Sequence, residues 1–197
     1  MTLPTRSRRN NDHPSSCLTT VAIIGAGPLG RWLALAAARA GYRVLLEDVM
    51  PANLHHAEEY LRRQLDAEML ASSPLPVQFV STVEDAVREA DLAIDCVPDE
   101  LESKLEILWL VDRMAPPRTV LATPTTRLSI SDLAGCTYRA ERCVAIGVDP
   151  RDFSHLHKPG GESGLTLRTT EKTTPETTEL VRSFCERLGF AVTLARG

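Results

Sequence analysis

A glycine-rich turn between an apolar strand and a helix of small residues is the feature that most limits how this chain can fold. Residues 21–24 (VAII) lead directly into residues 25–30 (GAGPLG), and an Ala/Leu-rich helix pattern follows. Each Gly of a GxGxxG turn has its own task. Gly25 permits the tight turn, Gly27 lets the backbone approach a pyrophosphate, and Gly30 lets the helix pack against the strand. The pattern predicts a dinucleotide-binding unit.

The residues after the turn support the same interpretation. Pro28 falls at the first helical position, where its missing N–H costs least. The start of the helix presents free N–H groups and the positive end of the helix dipole to an anion. Gly41 follows the helix as a left-handed C-cap. We therefore expect the cofactor to contact Gly25, Gly27, Pro28, Leu29 and Gly30.

An acidic residue ends the next predicted strand, residues 43–48. Asp48 lies about 20 residues beyond the glycines, where a unit of this kind places the carboxylate that binds the adenosine ribose hydroxyls. Such a carboxylate repels a 2′-phosphate, and no Arg follows it. The sequence therefore favours NAD over NADP. The neighbouring Glu47 is expected to point to the opposite side of the strand.

Strand and helix patterns alternate along the rest of the chain. Helix patterns cover residues 51–70, 83–89, 101–114, 130–134 and 175–188, between strand patterns at residues 77–80, 91–98, 119–122, 143–148, 165–168 and 190–194. Such alternation is typical of an open parallel sheet with helices on both faces. The predicted fold class is α/β, a Rossmann-type doubly wound, mostly parallel sheet.

Composition limits the classes of partner. With 197 residues, 43% of them hydrophobic, the chain is expected to form one domain over residues 20–197, after a disordered tail at residues 1–19. A net charge of −4 favours neither nucleic acid nor anionic membrane, and no apolar run approaches the ~20 residues of a membrane span. Five cysteines without a CxxC pair, and no apolar leader, indicate a reduced cytoplasmic protein.

The order of these motifs resembles the N-terminal domain of L-3-hydroxyacyl-CoA dehydrogenases over about residues 20–196. That family has a GAGxMG turn, an acid after the second strand, a VPE-xxxx-K segment and a TNTSSLSI loop. This chain has GAGPLG, Asp48, residues 97–104 and residues 121–130 at those places. The resemblance implies that the cofactor side of the cleft includes Val97, Pro98, Asp99 and Lys104.

The departures from the family fall on the residues of the reaction. Pro124 stands where the family has an Asn near the nicotinamide, and Thr126 replaces the substrate-binding Ser but keeps a hydroxyl. The catalytic His of a GLHFFNP stretch has no counterpart in residues 145–150 (AIGVDP), and its orienting Glu falls on Thr166. Candidates for the missing acid–base group are Asp149 and the two His of the following loop, His155 and His157. That loop also holds Glu162, and Lys104 is a weaker candidate base.

Two functions remain open from the sequence. The first is an NAD-dependent oxidoreductase that acts on a hydroxyacyl or related small substrate, including one held as a thioester or on a carrier protein. The second is a non-catalytic NAD(H)-binding protein, a sensor or partner subunit. An S-adenosylmethionine site ranks below both, and no metal site is expected because His155 and His157 lack a third ligand. Without the family's helical domain, the cleft is expected to be covered by a homodimer or partner chain.

Overall fold

A sheet of eight strands runs through the computed structural model, which describes residues 18–65, 77–151, 153 and 164–197. The strands lie in the order β3-β2-β1-β4-β5-β6-β7-β8. They are β1 (Thr20–Ile24), β2 (Arg43–Glu47), β3 (Val77–Val80), β4 (Leu92–Asp95), β5 (Val120–Pro124), β6 (Cys143–Ile146), β7 (Gly164–Thr169) and β8 (Ala191–Arg196). The first six are parallel, β7 is antiparallel to β6, and β8 is parallel to β7.

Helices cover both faces of the sheet. They are α1 (Pro28–Arg39), α2 (Pro51–Gln64), α3 (Val83–Val87), α4 (Leu101–Met114), α5 (Ile130–Gly135) and α6 (Pro175–Arg187), with a 3₁₀ turn at Ala140–Arg142. Alternate residues of β1 show the two cores. Val21 and Ile23 pack in the cluster that includes α1, α2 and α6, and Ala22 and Ile24 pack with α3, α4 and α5. The predicted Rossmann-type doubly wound fold is confirmed.

The strand order reverses direction between β1 and β4, which are neighbours in the sheet. From β1 the chain adds β2 and β3 on one side, and from β4 it adds β5 and β6 on the other. In open α/β sheets the crevice at this switch point, outside the carboxyl ends of the strands, is where ligands bind. The glycine turn, Asp48 and the loops after β4, β5 and β6 all lie at this edge.

Most element boundaries agree with the sequence to within a few residues. The fourth predicted strand, residues 91–98, is shorter and ends at Asp95, because the chain turns at Cys96 toward the start of α4. The fifth, residues 119–122, extends to Pro124, because its pairing with β6 continues to Ile146. The predicted helix over residues 51–70 is seen to Gln64, and residues 66–70 lie outside the described part.

Residues 1–17 are also outside the described part, so the disordered tail stays a prediction, although Thr19 already donates two hydrogen bonds to Asp91. Within the described ranges no helix is long and apolar enough to cross a membrane, and no group of three acidic, His or Cys side chains is arranged for a metal. Cys96, Cys143 and Cys185 are buried free thiols, and burial raises the pKa of each.

Candidate functional site

The glycine turn has the geometry that the sequence predicts. Gly25 has a φ of 102°, in the left-handed region, and a Cβ there would lie 3.1 Å from the backbone of Cys96. A Cβ on Gly30 would lie 1.9 Å from the carbonyl oxygen of Gly25. The close approach at Gly30 is therefore to the turn itself. Glycine at both positions lets the strand turn into the helix within a few residues.

The start of α1 is open in the way that an anion requires. A Cβ on Gly27 would meet nothing within 4 Å, so the backbone there faces free space. Gly27 is the N-cap of α1, no side chain caps the helix, and Pro28 occupies its first turn. The uncapped N–H groups and the positive end of the helix dipole suit a pyrophosphate. This part of the site fits the predicted dinucleotide.

The Asp48 carboxylate is fixed by three donors at the end of β2. Its Oδ2 accepts from the backbone N–H of Ala26 at 2.9 Å, and its Oδ1 accepts from that of Met50 at 2.8 Å. The amide of Asn53, in the first turn of α2, donates to both oxygens at 3.1 Å. These bonds orient the carboxylate beside the glycine turn, as a ribose-binding acid requires. Each oxygen already accepts two of these bonds, one of them from the shared Asn53 amide, and contacts with ribose hydroxyls stay a prediction.

Glu47 is a second acid at the same strand end. It is the last residue of β2, only 4% exposed, and alternation along the strand directs its side chain to the face opposite Asp48. No described residue makes a hydrogen bond to its carboxyl group. Burial and the charge of Asp48 together raise the pKa of Glu47 to about 7. Glu47 is therefore protonated in a substantial fraction of molecules at neutral pH.

The loop between β4 and α4 carries three of the predicted cofactor residues. Val97 is half-buried and Pro98 is exposed, whereas Asp99 is buried with 1% of its surface accessible. Neither carboxylate oxygen of Asp99 has a hydrogen-bond partner in the described structure. Its nearest cation is Arg127, whose Nε lies 3.7 Å from Oδ2. A buried carboxylate without a donor is costly, and a hydroxyl of a bound ligand would supply one.

Lys104 lies inside the protein rather than on the cleft surface. Its side chain is fully buried, and its Nζ donates to Oδ1 of Asp95 at 3.0 Å. The hydroxyl of Thr123 donates to the other oxygen of Asp95 at 2.6 Å. Burial raises the pKa of Asp95, while the ammonium and the hydroxyl act in the opposite direction. Lys104 thus ties α4 to the ends of β4 and β5, and direct contact with a cofactor stays a prediction.

The loop after β5 bears Thr126 at the carboxyl edge of the sheet. Pro124 is buried at the end of β5, opposite Ile146 of β6, and it has no N–H to donate. Thr126, two residues on, is exposed. The loop is held from within by Thr125, whose Oγ1 accepts from the N–H groups of residues 127 and 128 at 3.3 and 3.1 Å. Arg168 of β7 also donates to the carbonyl of Thr125 at 2.7 Å.

Asp149 lies just beyond β6, at the same edge as Thr126. It is half-buried, and its Oδ1 accepts from the backbone N–H of Arg151 at 2.8 Å. Arg151 in turn reaches Glu100 at the start of α4 with an Nη2–Oε1 distance of 3.2 Å. The loops after β4 and β6 therefore meet across the end of β5.

The other candidates for the acid–base group are not placed by the structure. His155, His157 and Glu162 lie outside the described residues, so their assignments stay predictions. Thr166 stands close to the end of β6: its carbonyl oxygen accepts from the N–H of Gly147 at 2.7 Å, and its hydroxyl pairs with Thr193. In this position it has no group that titrates near neutral pH.

Several residues that shape the site gave no clear signal in the sequence. Asn53 braces Asp48 from the next helix, and Arg168 holds the loop that bears Thr126 from 40 or more residues away. Asp95, the partner of Lys104, lies on β4, and Thr123, which donates to the other oxygen of Asp95, lies on β5. The spacing of Lys104, Leu108 and Val111 along α4 was the one available clue, since it places all three on the buried face.

Comparison with known proteins gives the family. Residues 20–195 match the family described as 3-hydroxyacyl-CoA dehydrogenase, NAD binding domain. The probable 3-hydroxybutyryl-CoA dehydrogenase of Bacillus subtilis is 32% identical over 135 residues, 64% of this chain and 47% of that protein. The 5-formyl-3-hydroxy-2-methylpyridine 4-carboxylate 5-dehydrogenase of Mesorhizobium japonicum is 29% identical over 181 residues, 87% of this chain and 55% of that protein.

The fold agrees with solved structures of the same group. The (S)-3-hydroxybutyryl-CoA dehydrogenase of Ralstonia eutropha superposes with a TM-score of 0.79 at 22% identity, over 91% of this chain and 64% of that one. This chain spans about half the length of the curated relatives it matches. The family binds NAD, in agreement with the glycine turn and Asp48. The chain therefore belongs to the family of NAD-binding domains of 3-hydroxyacyl-CoA dehydrogenases.

Proposed function

We propose that this domain serves an NAD-dependent oxidoreductase that acts on a hydroxyacyl or related small substrate, including a thioester or carrier-bound one. The observation that carries the proposal is that the predicted cofactor and substrate residues share one edge of the sheet, at the carboxyl ends of the parallel strands. The turn with free space above Gly27 and the oriented Asp48 lie at the same carboxyl edge of the sheet as the loop that bears Thr126. The relatives from Bacillus subtilis and Mesorhizobium japonicum are both named as dehydrogenases, which supports the same class of reaction here.

Each part of the edge has a distinct task in this proposal. The N–H groups at the start of α1 bind the pyrophosphate, and Asp48 accepts hydrogen bonds from the adenosine ribose. Bound NAD supplies the hydride acceptor or donor. Thr126 donates a hydrogen bond to the oxygen of the reacting carbon, which favours the negative charge that gathers there when a carbonyl is reduced. The buried bonds of Asp95 to Lys104 and Thr123 join α4 and the ends of β4 and β5 beneath the cleft.

The proton of the reaction needs a group other than the family's His. A general base must lie within hydrogen-bond reach of the alcohol and titrate near the working pH. Asp149 is the described candidate, because it is half-buried at the carboxyl edge next to the end of β5. His155 and His157 follow it within a few residues and are the imidazole candidates. We assign the proton step to this set of three.

A specific observation favours the second candidate function, NAD(H) binding without turnover. Pro124 cannot donate a backbone hydrogen bond, Thr166 carries no carboxylate, and β6 presents no His. Three positions at which the family has reaction residues therefore differ here, whereas the glycine turn and Asp48 of the dinucleotide site are present. A sensor or a partner subunit would retain this pattern.

Calorimetric titration tests the shared part of both functions. Wild-type protein is expected to bind NAD and NADH more tightly than NADP, and Asp48→Ala should weaken NAD binding about tenfold or more, since hydrogen bonds to a charged group are lost. Asp85→Ala, which removes an exposed acid on α3, is the control and should bind as wild type does. Equal affinity of the Asp48 variant, or no binding by wild type, would contradict the assigned site.

Turnover separates the two candidates. NADH absorbance is followed with acetoacetyl-CoA and with small keto compounds as oxidants. The oxidoreductase proposal expects NADH oxidation that Thr126→Ala slows at least tenfold while NADH affinity stays constant, because a hydrogen bond to developing charge is removed. NADH binding without oxidation of any probe would instead favour the non-catalytic function.

A further inference from the structure

The loop that bears Thr126 also presents an arginine that neither the cofactor site nor the proton step uses. Arg127 follows Thr126 directly, and its side chain is 59% exposed. The backbone beneath it is fixed on both sides. The N–H of Arg127 donates to Thr125, and Arg168 donates to the carbonyl oxygens of Thr125 and Leu128. The direction in which Arg127 leaves the backbone is therefore set before any ligand arrives.

The guanidinium of Arg127 reaches from the end of β5 across to the end of β4. Its Nη2 donates to the backbone carbonyl oxygen of Asp99 at 2.8 Å, and its Nε lies 3.7 Å from Oδ2 of the same residue. The first contact is a hydrogen bond. The second is an ion pair whose atoms are too far apart for a hydrogen bond. A guanidinium has five N–H donors in a planar fork. One of these donors bonds to Asp99, and the side chain is 59% exposed, so donors remain for an acceptor on a ligand.

Asp99, beside Arg127, has acceptor atoms without donors. Its carboxylate is 1% exposed and has no hydrogen-bond donor in the described structure. Arg127 and Asp99 thus present spare donors and spare acceptors next to each other, and Thr126 precedes Arg127 in the same loop. A ligand that carries both an acidic acceptor and a hydroxyl donor complements this pair. A ligand without a negative charge leaves the guanidinium fork unused.

We propose that Arg127 binds a carboxylate of the substrate, so that the substrate of this site is a free hydroxy acid or the matching oxo acid. The inference rests on the proposed oxidoreductase function and adds the chemical class of its substrate. Guanidinium pairs with carboxylate or phosphate through two parallel hydrogen bonds. Asp99 lies beside Arg127, and its charge opposes a dianionic phosphate more strongly than a singly charged carboxylate.

Arg151 is the matched control within the same edge. It is also an exposed arginine, 63% accessible, and it is also held by an acid at the start of α4, Glu100. It differs in place, because it follows β6 rather than Thr126. Substitution of either arginine by Met keeps an unbranched apolar stem and removes the charge. The pair of variants therefore separates a specific contact at residue 127 from a general change in the charge of the cleft.

The test uses acetoacetate and methyl acetoacetate, which differ in the charge of one group. Full-length protein is first titrated with NADH, and each probe is then titrated into the NADH complex by calorimetry. Wild type is expected to bind acetoacetate at least tenfold more tightly than the ester. Arg127→Met should abolish that preference, Arg127→Lys should retain part of it, and Arg151→Met should leave it intact.

The outcomes distinguish this inference from the proposed function. If NADH does not bind to wild type, the proposed function fails and the inference fails with it. If NADH binds but acetoacetate and its ester bind equally, or neither binds at millimolar concentration, the inference alone is overturned. Equal losses in Arg127→Met and Arg151→Met would also overturn it. Far-ultraviolet circular dichroism of each variant shows that the compared proteins are folded.

Discussion

Substitution of Glu47 by Gln should change how the stability of the domain depends on pH. In the folded protein the pKa of Glu47 is raised from 4.5 to about 7, first by burial and then by the charge of Asp48. Between these values the folded state holds a proton that the unfolded chain has released, so stability falls as pH rises through this window. At about 1.4 kcal/mol per pKa unit, the full loss above pH 7 is about 3 kcal/mol.

Urea denaturation of wild type and Glu47→Gln, at about pH 5 and about pH 8, measures this effect. Gln does not ionise, so the stability of the variant does not decrease over this pH range for this reason. Its stability relative to wild type should increase by about 2–3 kcal/mol between the two pH values. Glu106→Gln, at an exposed position of α4, is the control. Its free energy of unfolding should differ from that of wild type by the same amount at the two pH values. A Glu47→Gln difference that is constant with pH would refute the reasoning.

Two further predictions concern the backbone of the turn and the buried ion pair. Gly30→Ala should lower the free energy of unfolding by about 1–3 kcal/mol and weaken NAD binding, because its Cβ would lie 1.9 Å from the Gly25 carbonyl oxygen. Gly27→Ala, with free space at its Cβ, should weaken NAD binding with little change in urea denaturation, and equal destabilisation of the two variants would contradict this. Lys104→Met should lower the free energy of unfolding by about 3–5 kcal/mol at neutral pH, because it leaves the buried Asp95 carboxylate without its cation. Adding Asp95→Asn should restore much of that stability in the same denaturation assay, and a double variant as unstable as Lys104→Met would contradict the assignment.

The dinucleotide half of the site could be predicted from the sequence because its determinants are local. The conformation of Gly25, the uncapped start of α1 and the position of Asp48 depend on the order of residues within one strand–helix–strand unit, β1 to β2. Each is set by backbone geometry and by distance along the chain. The alternation of strands and helices likewise fixed the fold class, because a parallel strand requires a crossover that places a helix on one face.

The substrate half depends on contacts that the periodicity does not encode. Arg127 meets Asp99 across 28 residues of sequence, because two parallel strands bring their carboxyl ends together. The motif spacing that aligned Lys104 with a cofactor residue describes its place along the chain but not the direction of its ammonium, which bonds to Asp95. The packing of the loops decides which polar side chains pair at this edge of the sheet. A single sequence shows neither the partner of such a side chain nor the distance between the two.

The hold of Arg168 on the loop after β5 has a consequence for the order of folding. Arg168 lies 43 residues downstream of Thr125, on the strand that pairs antiparallel with β6. On the ribosome, the unit from β1 to β2 is complete long before this strand emerges. The segment carrying Thr126 and Arg127 reaches its final shape only when β7 has docked. Nucleotide affinity should therefore be acquired during synthesis before the ability to discriminate among substrates.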